Sequence, residues 1–383
     1  ITVTGSQIRG AAINDALAVS VFSSEDVDIL GVSGGDELLA AIPENGQNFL
    51  GPTDTGGGVN GARGDVGAVN LRSLGTGNTL VLLNGRRMVN MATFQTEVVG
   101  GSFVPVNSVN SNHLPVFGLE RVEILRDGAS AIYGADAVAG VVNTVTKDNY
   151  QGFTIRLRQT EYDHMPRGDS SIAIEWGDVF NGGATSVGVF ARHYSRDRVR
   201  SSDEARWSNS DFRSRFPDGS TYNTSTVFRN NSANSLFGQF DIVDSVGSSN
   251  SLRTNDVVDS SGEFEVFPSG SSQCADGFET GYGTCMVEDG QGTLRYNLNE
   301  ARDMSPEINR TTFFAYLNHE INDELEFFAD AYYYRSTSNR RLNPSTPLSA
   351  VRLRVGAENY YNPLGPVGSP NRLPDSIVGP DLP

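Results

Sequence analysis

The sequence predicts a chain in two parts: a small mixed α/β domain, then an antiparallel β-sheet whose strands suit a membrane-spanning barrel. Three observations predict it. Leu119 to Lys147, LERVEILRDGASAIYGADAVAGVVNTVTK, reads as strand, turn, small-residue segment and strand. From Phe153 onward, apolar and polar residues alternate in runs of about ten, the period of a sheet with one apolar and one polar face. No apolar run approaches the roughly 20 residues of a membrane helix, so a membrane role would have to use alternating strands. The same alternation would also suit a soluble β-sandwich.

The first observation carries the most detail. Val122 and Ile124 alternate with Arg121, Glu123 and Arg126, as in a half-buried strand. Asp127-Gly128 is a turn dipeptide. Ala129 to Gly140 is almost all small residues around Tyr133, and small residues let one backbone approach another. Val141 to Thr146 is a β-branched run that closes the unit as a second strand.

This stretch resembles the end of the plug domain of TonB-dependent outer-membrane transporters, through ERVEILRDGASAIYG and on through ADAVAGVVNTVTK. Val69 to Arg87, VNLRSLGTGNTLVLLNGRR, resembles the plug's central strands. The resemblance covers residues 1–147, and the remainder only by pattern. It implies an N-terminal segment over 1–17, a plug over 18–147, and the first part of a transmembrane barrel with long extracellular loops over 148–383. The family barrel has about 22 strands, of which about five are legible here. The sequence therefore resembles the N-terminal part of a longer chain.

Within the domain, Ala18 to Ser23 predicts a strand, and Ser24 caps a short helix over Glu25–Leu30. Ser33 opens a second helix that Pro43 ends. Glu44–Gly67 is a long loop. Ala68–Leu74 and Thr79–Asn84 predict strands, with a turn at Asn84-Gly85. Asn90–Pro115 is a second long loop. Beyond Lys147, strands are expected around 153–157, 172–176, 187–191, 311–321 and 325–333. Their connections are short except for one of about 110 residues, Ser201–Arg310. Short periplasmic turns and long external loops are the barrel pattern.

The resemblance also implies partners and sites. Ile1, Thr2, Val3, Thr4 and Gly5 would form the TonB box, which pairs by strand addition with the periplasmic energy transducer and its inner-membrane motor. A small solute would bind between the external loops and the plug's outer loops. There Asp54, Asn60, Arg63 and Asp65 offer hydrogen bonds, Phe94 and Phe103 offer flat apolar contact, and Gln95 and Glu97 lie alongside. Those loops could instead merely fill the barrel lumen. Plug arginines at the positions of Arg72 and Arg126 would pair with acids of the barrel wall, in strands other than those legible here. Outer-membrane lipid is a further partner, and a surface lipoprotein is compatible with the resemblance. No cofactor is implied, and energy comes from the inner membrane, so no catalytic residue is needed. The solute stays open between ferric siderophore, oligosaccharide and a cobalamin-like ligand. The rivals are a passive porin, which lacks a folded N-terminal domain, and a soluble periplasmic or extracellular binding or adhesion module.

Composition bounds other classes. Net charge is −17, which argues against nucleic acid, whose phosphates need basic contacts. Lys147 is the one lysine. Cys274 and Cys285 in a Gly/Ser-rich stretch are consistent with a disulfide and an oxidising compartment, or with two free thiols. No signal peptide opens the sequence; for an exported chain, Ile1 would follow the cleavage site. Gly31–Gly35 fits G-x-S-x-G but lacks the strand a nucleophile elbow needs. Gly56, Gly58 and Gly61 lack the following helix of a dinucleotide fingerprint. His113, His164, His193 and His319 are not at metal-ligand spacing. Asp241, Asp244, Asp256 and Asp259 match no calcium loop, and Arg63-Gly64-Asp65 reads as a polar turn.

Overall fold

The computed structural model describes residues 19–46, 64–92, 95–99, 102–126, 129–163, 165–231, 239–241, 263–280, 282–288, 295–341, 355–356, 358–362 and 364–372. The chain forms two units, one of residues 1–204 with 303–342 and one of 205–302 with 343–383.

The first unit begins with strand β1 (Val19–Ser23), helix α1 (Ser24–Leu30) and helix α2 (Gly35–Ala40). The N-cap of α1 is Ser23, not Ser24. Its hydroxyl accepts from the Asp26 amide at 3.2 Å, and the Asp26 carboxylate accepts from the Ser23 amide at 2.8 Å. This reciprocal box satisfies two otherwise orphaned donors. Gly31 ends α1 at φ 66°, a left-handed cap that favours glycine. Ser33 does not cap α2; Gly34 does, without a side-chain bond.

Next come β2 (Thr79–Leu83), β3 (Arg86–Arg87) and a hairpin of β4 (Gln95–Val99) with β5 (Ser102–Val106). The expected strand over 68–74 is absent: Leu71 makes one isolated bridge to Asn45, and Arg72 and Ser73 take φ of 59° and 56°, which no strand accommodates. The expected loop 90–115 contains the β4–β5 hairpin, whose β-branched and aromatic residues flank Gly100-Gly101 in the sequence.

Strands β6 (Leu119–Leu125) and β7 (Gly140–Thr146) form the centre of a five-stranded sheet of order β1-β6-β7-β2-β3. Only the β2–β7 pair is parallel. One sheet face buries Val122, Ile124 and Val142 against Val27, Leu38 and Leu39 of the helices. The other buries Leu80, Leu82, Leu125 and Val141 against Ala129 and Ala137. These alanines belong to the small-residue segment, which folds as helix α3 (Ser130–Tyr133) and a 3₁₀ turn over 135–137.

Five long strands follow: β8 (Gly152–Glu161), β9 (Gly168–Phe180), β10 (Thr185–Arg196) and, after the long connection, β17 (Glu307–Asn322) and β18 (Leu325–Asn339). They form an antiparallel sheet in chain order, β8-β9-β10-β17-β18. A two-stranded pair of β11 (Val199–Arg200) and β16 (Asp303–Ser305) flanks β10 and β17 in sequence. The two faces of the long sheet differ in kind. One carries Phe153, Leu157, Trp176 and Phe327, which are 63%, 76%, 40% and 50% exposed. The other carries Glu175, Phe190, Tyr194, Arg196 and Arg310, all buried. A soluble sandwich buries its apolar face against a second sheet. Here the apolar face points away from the molecule, and the polar face packs on the α/β domain. Phe190 anchors the contact with Phe117, Phe314 and Tyr316. Gly118 sits beneath it at φ 63°, where a Cβ would stand 2.5 Å from the Phe190 ring.

The second unit holds a four-stranded sheet of order β12-β13-β15-β14: β12 (Gln239–Asp241), β13 (Glu263–Pro268), β14 (Phe278–Glu279) and β15 (Thr284–Glu288). A Cys274–Cys285 disulfide packs with Phe267 and Val287.

Candidate functional site: the contact between domain and sheet

Asp65 lies in the described segment 64–92 of the α/β domain, and β17 aims Arg310 at it. The Arg310 Nε and Nη2 donate to Asp65 Oδ2 and Oδ1, each at 2.6 Å. The Ser336 and Tyr334 hydroxyls donate to Oδ2 at 2.6 and 3.0 Å, and the Asn112 amide donates to Oδ1 at 3.2 Å. Bidentate, charge-assisted pairing of this kind is strong and directional. Both side chains are buried, at 2% and 4% exposure. Burial alone would push the Asp65 carboxyl up, but the donors, Arg310 foremost, outweigh it and hold the group below the ordinary carboxylate range. Asp36, 3.6 Å from Arg310, goes the other way: burial raises it, and Arg310 only partly offsets that. Burial likewise lowers His113, whose ring stands 4.7 Å from that of Tyr334.

Asn110 and Asn112 tie the ends of the two loop regions together. The Asn110 side chain accepts from the Gly67 amide at 3.0 Å and donates to the Asp65 carbonyl at 3.1 Å. Asn112 Oδ1 accepts from the Asp36 amide at 3.1 Å. Ser33 is also part of this contact, its hydroxyl accepting from Arg310 Nη1 at 3.3 Å.

Further ion pairs cross from domain to sheet. Lys147 meets Glu175 at 2.7 Å and Arg156 meets Asp28 at 2.6 Å. Arg196 stands 3.8 Å from Glu37, and Arg86 pairs with Asp330. The described contacts of Arg72 and Arg126 stay inside the domain: Arg72 Nη1 donates to the Arg126 carbonyl at 3.1 Å, and Arg126 meets Glu44 at 3.4 Å.

Of the expected solute contacts, Asp65 proves to be a sheet contact, because its carboxylate is saturated by donors from Arg310, Tyr334, Ser336 and Asn112. The backbones of Gln95, Glu97 and Phe103 lie in the β4–β5 hairpin. Asp54, Asn60, Arg63 and Phe94 lie outside the described residues, as do Ile1, Thr2, Val3, Thr4 and Gly5. Arg310 was the residue missed. Its signal was present: Arg310, Thr312, Phe314 and Tyr316 share one parity of β17, so a charge sits among inward-facing positions.

Residues 12–141 match the family model described as TonB-dependent Receptor Plug Domain. The chain belongs to the TonB-dependent receptor family. The α/β domain is its plug, and the long sheet is part of its barrel wall, in the bacterial outer membrane. An iron-regulated outer membrane virulence protein of Vibrio cholerae is 26% identical over 207 residues, covering 53% of this chain and 28% of the relative. The vitamin B12 transporter BtuB of Photobacterium profundum is 27% identical over 146 residues, covering 38% and 20%. The chain thus spans well under half the length of either relative. A crystal structure of a variant of the ferric enterobactin receptor PfeA from Pseudomonas aeruginosa aligns with 88% of this chain and 36% of its own. The sequence identity is 13% and the TM-score 0.49.

Proposed function

We propose that this receptor takes up a scarce solute across the outer membrane, driven by the TonB energy transducer. The solute binds between external loops and the plug's outer loops over 44–67 and 90–115. Binding frees the N-terminal segment on the periplasmic side, the transducer pulls it, and the plug shifts away from the wall. The observation that supports this best is a separately cored plug held to the wall by discrete contacts, the Phe117–Phe190 cluster and above all the Asp65–Arg310 pair, rather than by one continuous apolar core. Such contacts can be broken and remade, whereas a fused core could not be. The iron-regulated and vitamin B12 relatives support a solute too large or too scarce for passive diffusion.

Uptake of labelled ferric chelates and of cobalamin by cells carrying the whole receptor tests the proposal. One class should accumulate, and deleting the transducer should abolish accumulation while surface binding persists. Accumulation that ignores the transducer would refute it. Alanine at both Arg63 and Phe94 should weaken binding at least tenfold, about 1.4 kcal/mol. Wild-type affinity in that double variant would move the binding site to the barrel loops.

A further inference from the structure

Two carboxylates and two cations form a chain where the plug meets the first strands of the wall. Asp28 of α1 accepts from Arg156 Nη1 of β8 through both oxygens, at 2.7 and 2.6 Å. Arg156 Nη2 stands 3.5 Å from Glu175 Oε1 of β9. Glu175 Oε2 accepts from Lys147 Nζ at 2.7 Å. Lys147 directly follows β7, with its ammonium 5.0 Å from the centre of the Tyr150 ring. The chain therefore runs plug, wall, wall, plug, and its charges cancel.

Glu175 is the member left short of partners. Its side chain is 1% exposed, and among the described residues its Oε1 accepts no hydrogen bond. A buried carboxylate oxygen without a donor is costly. The cation facing that oxygen is Arg156. The register explains why: β8 and β9 pair Thr154 with Glu175 and Arg156 with Ala173, so Arg156 and Glu175 are diagonal neighbours, within reach for long side chains. Closing their gap to the length of a charge-assisted bond takes a shift of less than about 1 Å. The competing Arg156–Asp28 pair is 42% and 46% exposed. Water shares its charges, and it breaks at low cost.

We infer that Arg156 switches partners: it holds helix α1 through Asp28 in the closed receptor and turns to the wall's own Glu175 as α1 lifts away. The inference rests on the plug displacement proposed above and adds an order to it. Arg156 has a wall carboxylate waiting, so freeing α1 strands no charge. Arg310 has none: among the described residues, the carboxylates paired with it are Asp36 and Asp65, both of the plug. Taking those away leaves a buried guanidinium without counter-charge, which is far harder. The α1 contact therefore gives way first, and the Asp65–Arg310 pair holds longer.

Amide hydrogen exchange of α1, followed by mass spectrometry on the resting full-length receptor in detergent, tests the switch. Asp28→Asn should speed exchange of the 24–30 segment at least threefold. Glu175→Gln should slow it at least threefold, because the lifted helix then leaves Arg156 with no carboxylate to turn to. A Glu175 that served only to hold the structure together would do the opposite, since losing the buried partner of Lys147 loosens its surroundings. Exchange that is unchanged or faster in Glu175→Gln overturns the switch. Should that variant not assemble, Glu175→Asp keeps the charge beside Lys147 but withdraws from Arg156 by one methylene. The same slowing is expected there, and its absence is equally decisive. Neither transducer nor solute is present in this measurement, so the two readings fail separately. Slowed exchange in a receptor whose uptake ignores the transducer would support the switch and remove the uptake reading. Unslowed exchange in a receptor whose uptake needs the transducer would remove the switch alone.

Discussion

Arg310 and Asp65 define the receptor at the scale of single residues. Removing one partner of a buried ion pair leaves an uncompensated charge, at a cost of about 3 to 5 kcal/mol. Arg310→Met should therefore lower the melting temperature strongly, and adding Asp65→Asn should restore much of the loss. Equal melting of wild type and Arg310→Met would show that the pair contributes little. The pair also sets a pH dependence. The folded Asp65 carboxyl is held below its ordinary value. It therefore contributes stability above the unfolded value near pH 4, and that contribution is lost as pH falls through the lower folded value. Below about pH 4, wild type should lose stability more steeply than Asp65→Asn. The sequence presents Asp65 only as part of a polar turn. Its partner is 245 residues away, and no local pattern encodes a pairing at that separation.

Elements were more legible than contacts, because periodicity is local. All five long strands appear where alternation predicts them, extended at their ends mostly by polar residues that the alternation does not count. The cap of α1 moved by one residue because Ser23 and Ser24 are both competent, and only Ser23 stands three before Asp26. The strand expected over 68–74 failed because composition cannot report the positive φ of Arg72 and Ser73. Two predictions belong here. Ile174 lies on the outward face of β9, so Ile174→Arg should cost about 2 to 4 kcal/mol at mid-membrane and fall with depth toward either interface. Assembly of that variant in the outer membrane at wild-type level would contradict a lipid-facing sheet. Serine at both Cys274 and Cys285 opens a link spanning a sequence separation of 11, which loop-entropy models value at about 3 kcal/mol. Limited proteolysis of the 263–288 sheet should accelerate in that variant, and unreduced wild type should yield one linked peptide by mass spectrometry.

On the scale of the whole molecule, the sequence resolved the division into plug and wall because the two halves obey different periods. Which wall residues hold the plug was not legible, since inward parity says which side chains face the plug but not which plug atoms meet them. The N-terminal segment carries the remaining expectation. Proline at Val3 removes a backbone donor from any added strand. Uptake should cease in Val3→Pro while solute binding persists; unimpaired uptake would relocate the transducer contact.

The position of β1 has a mechanical consequence. It is a strand of five residues at the edge of the described sheet, paired among the described residues only with β6, and its first pair is Val19 with Leu125. Tension entering from residues before Val19 loads that pair first, then the remaining four in succession, as a zipper opens. The pairings among the central β6-β7-β2 strands need not break for β1 to peel. Helix α1 follows β1 without a linker, so force next reaches the buried Val27 and the Asp28–Arg156 pair. Single-molecule pulling from the N-terminus should show a small early rupture of this edge, well separated from the rupture of the central sheet.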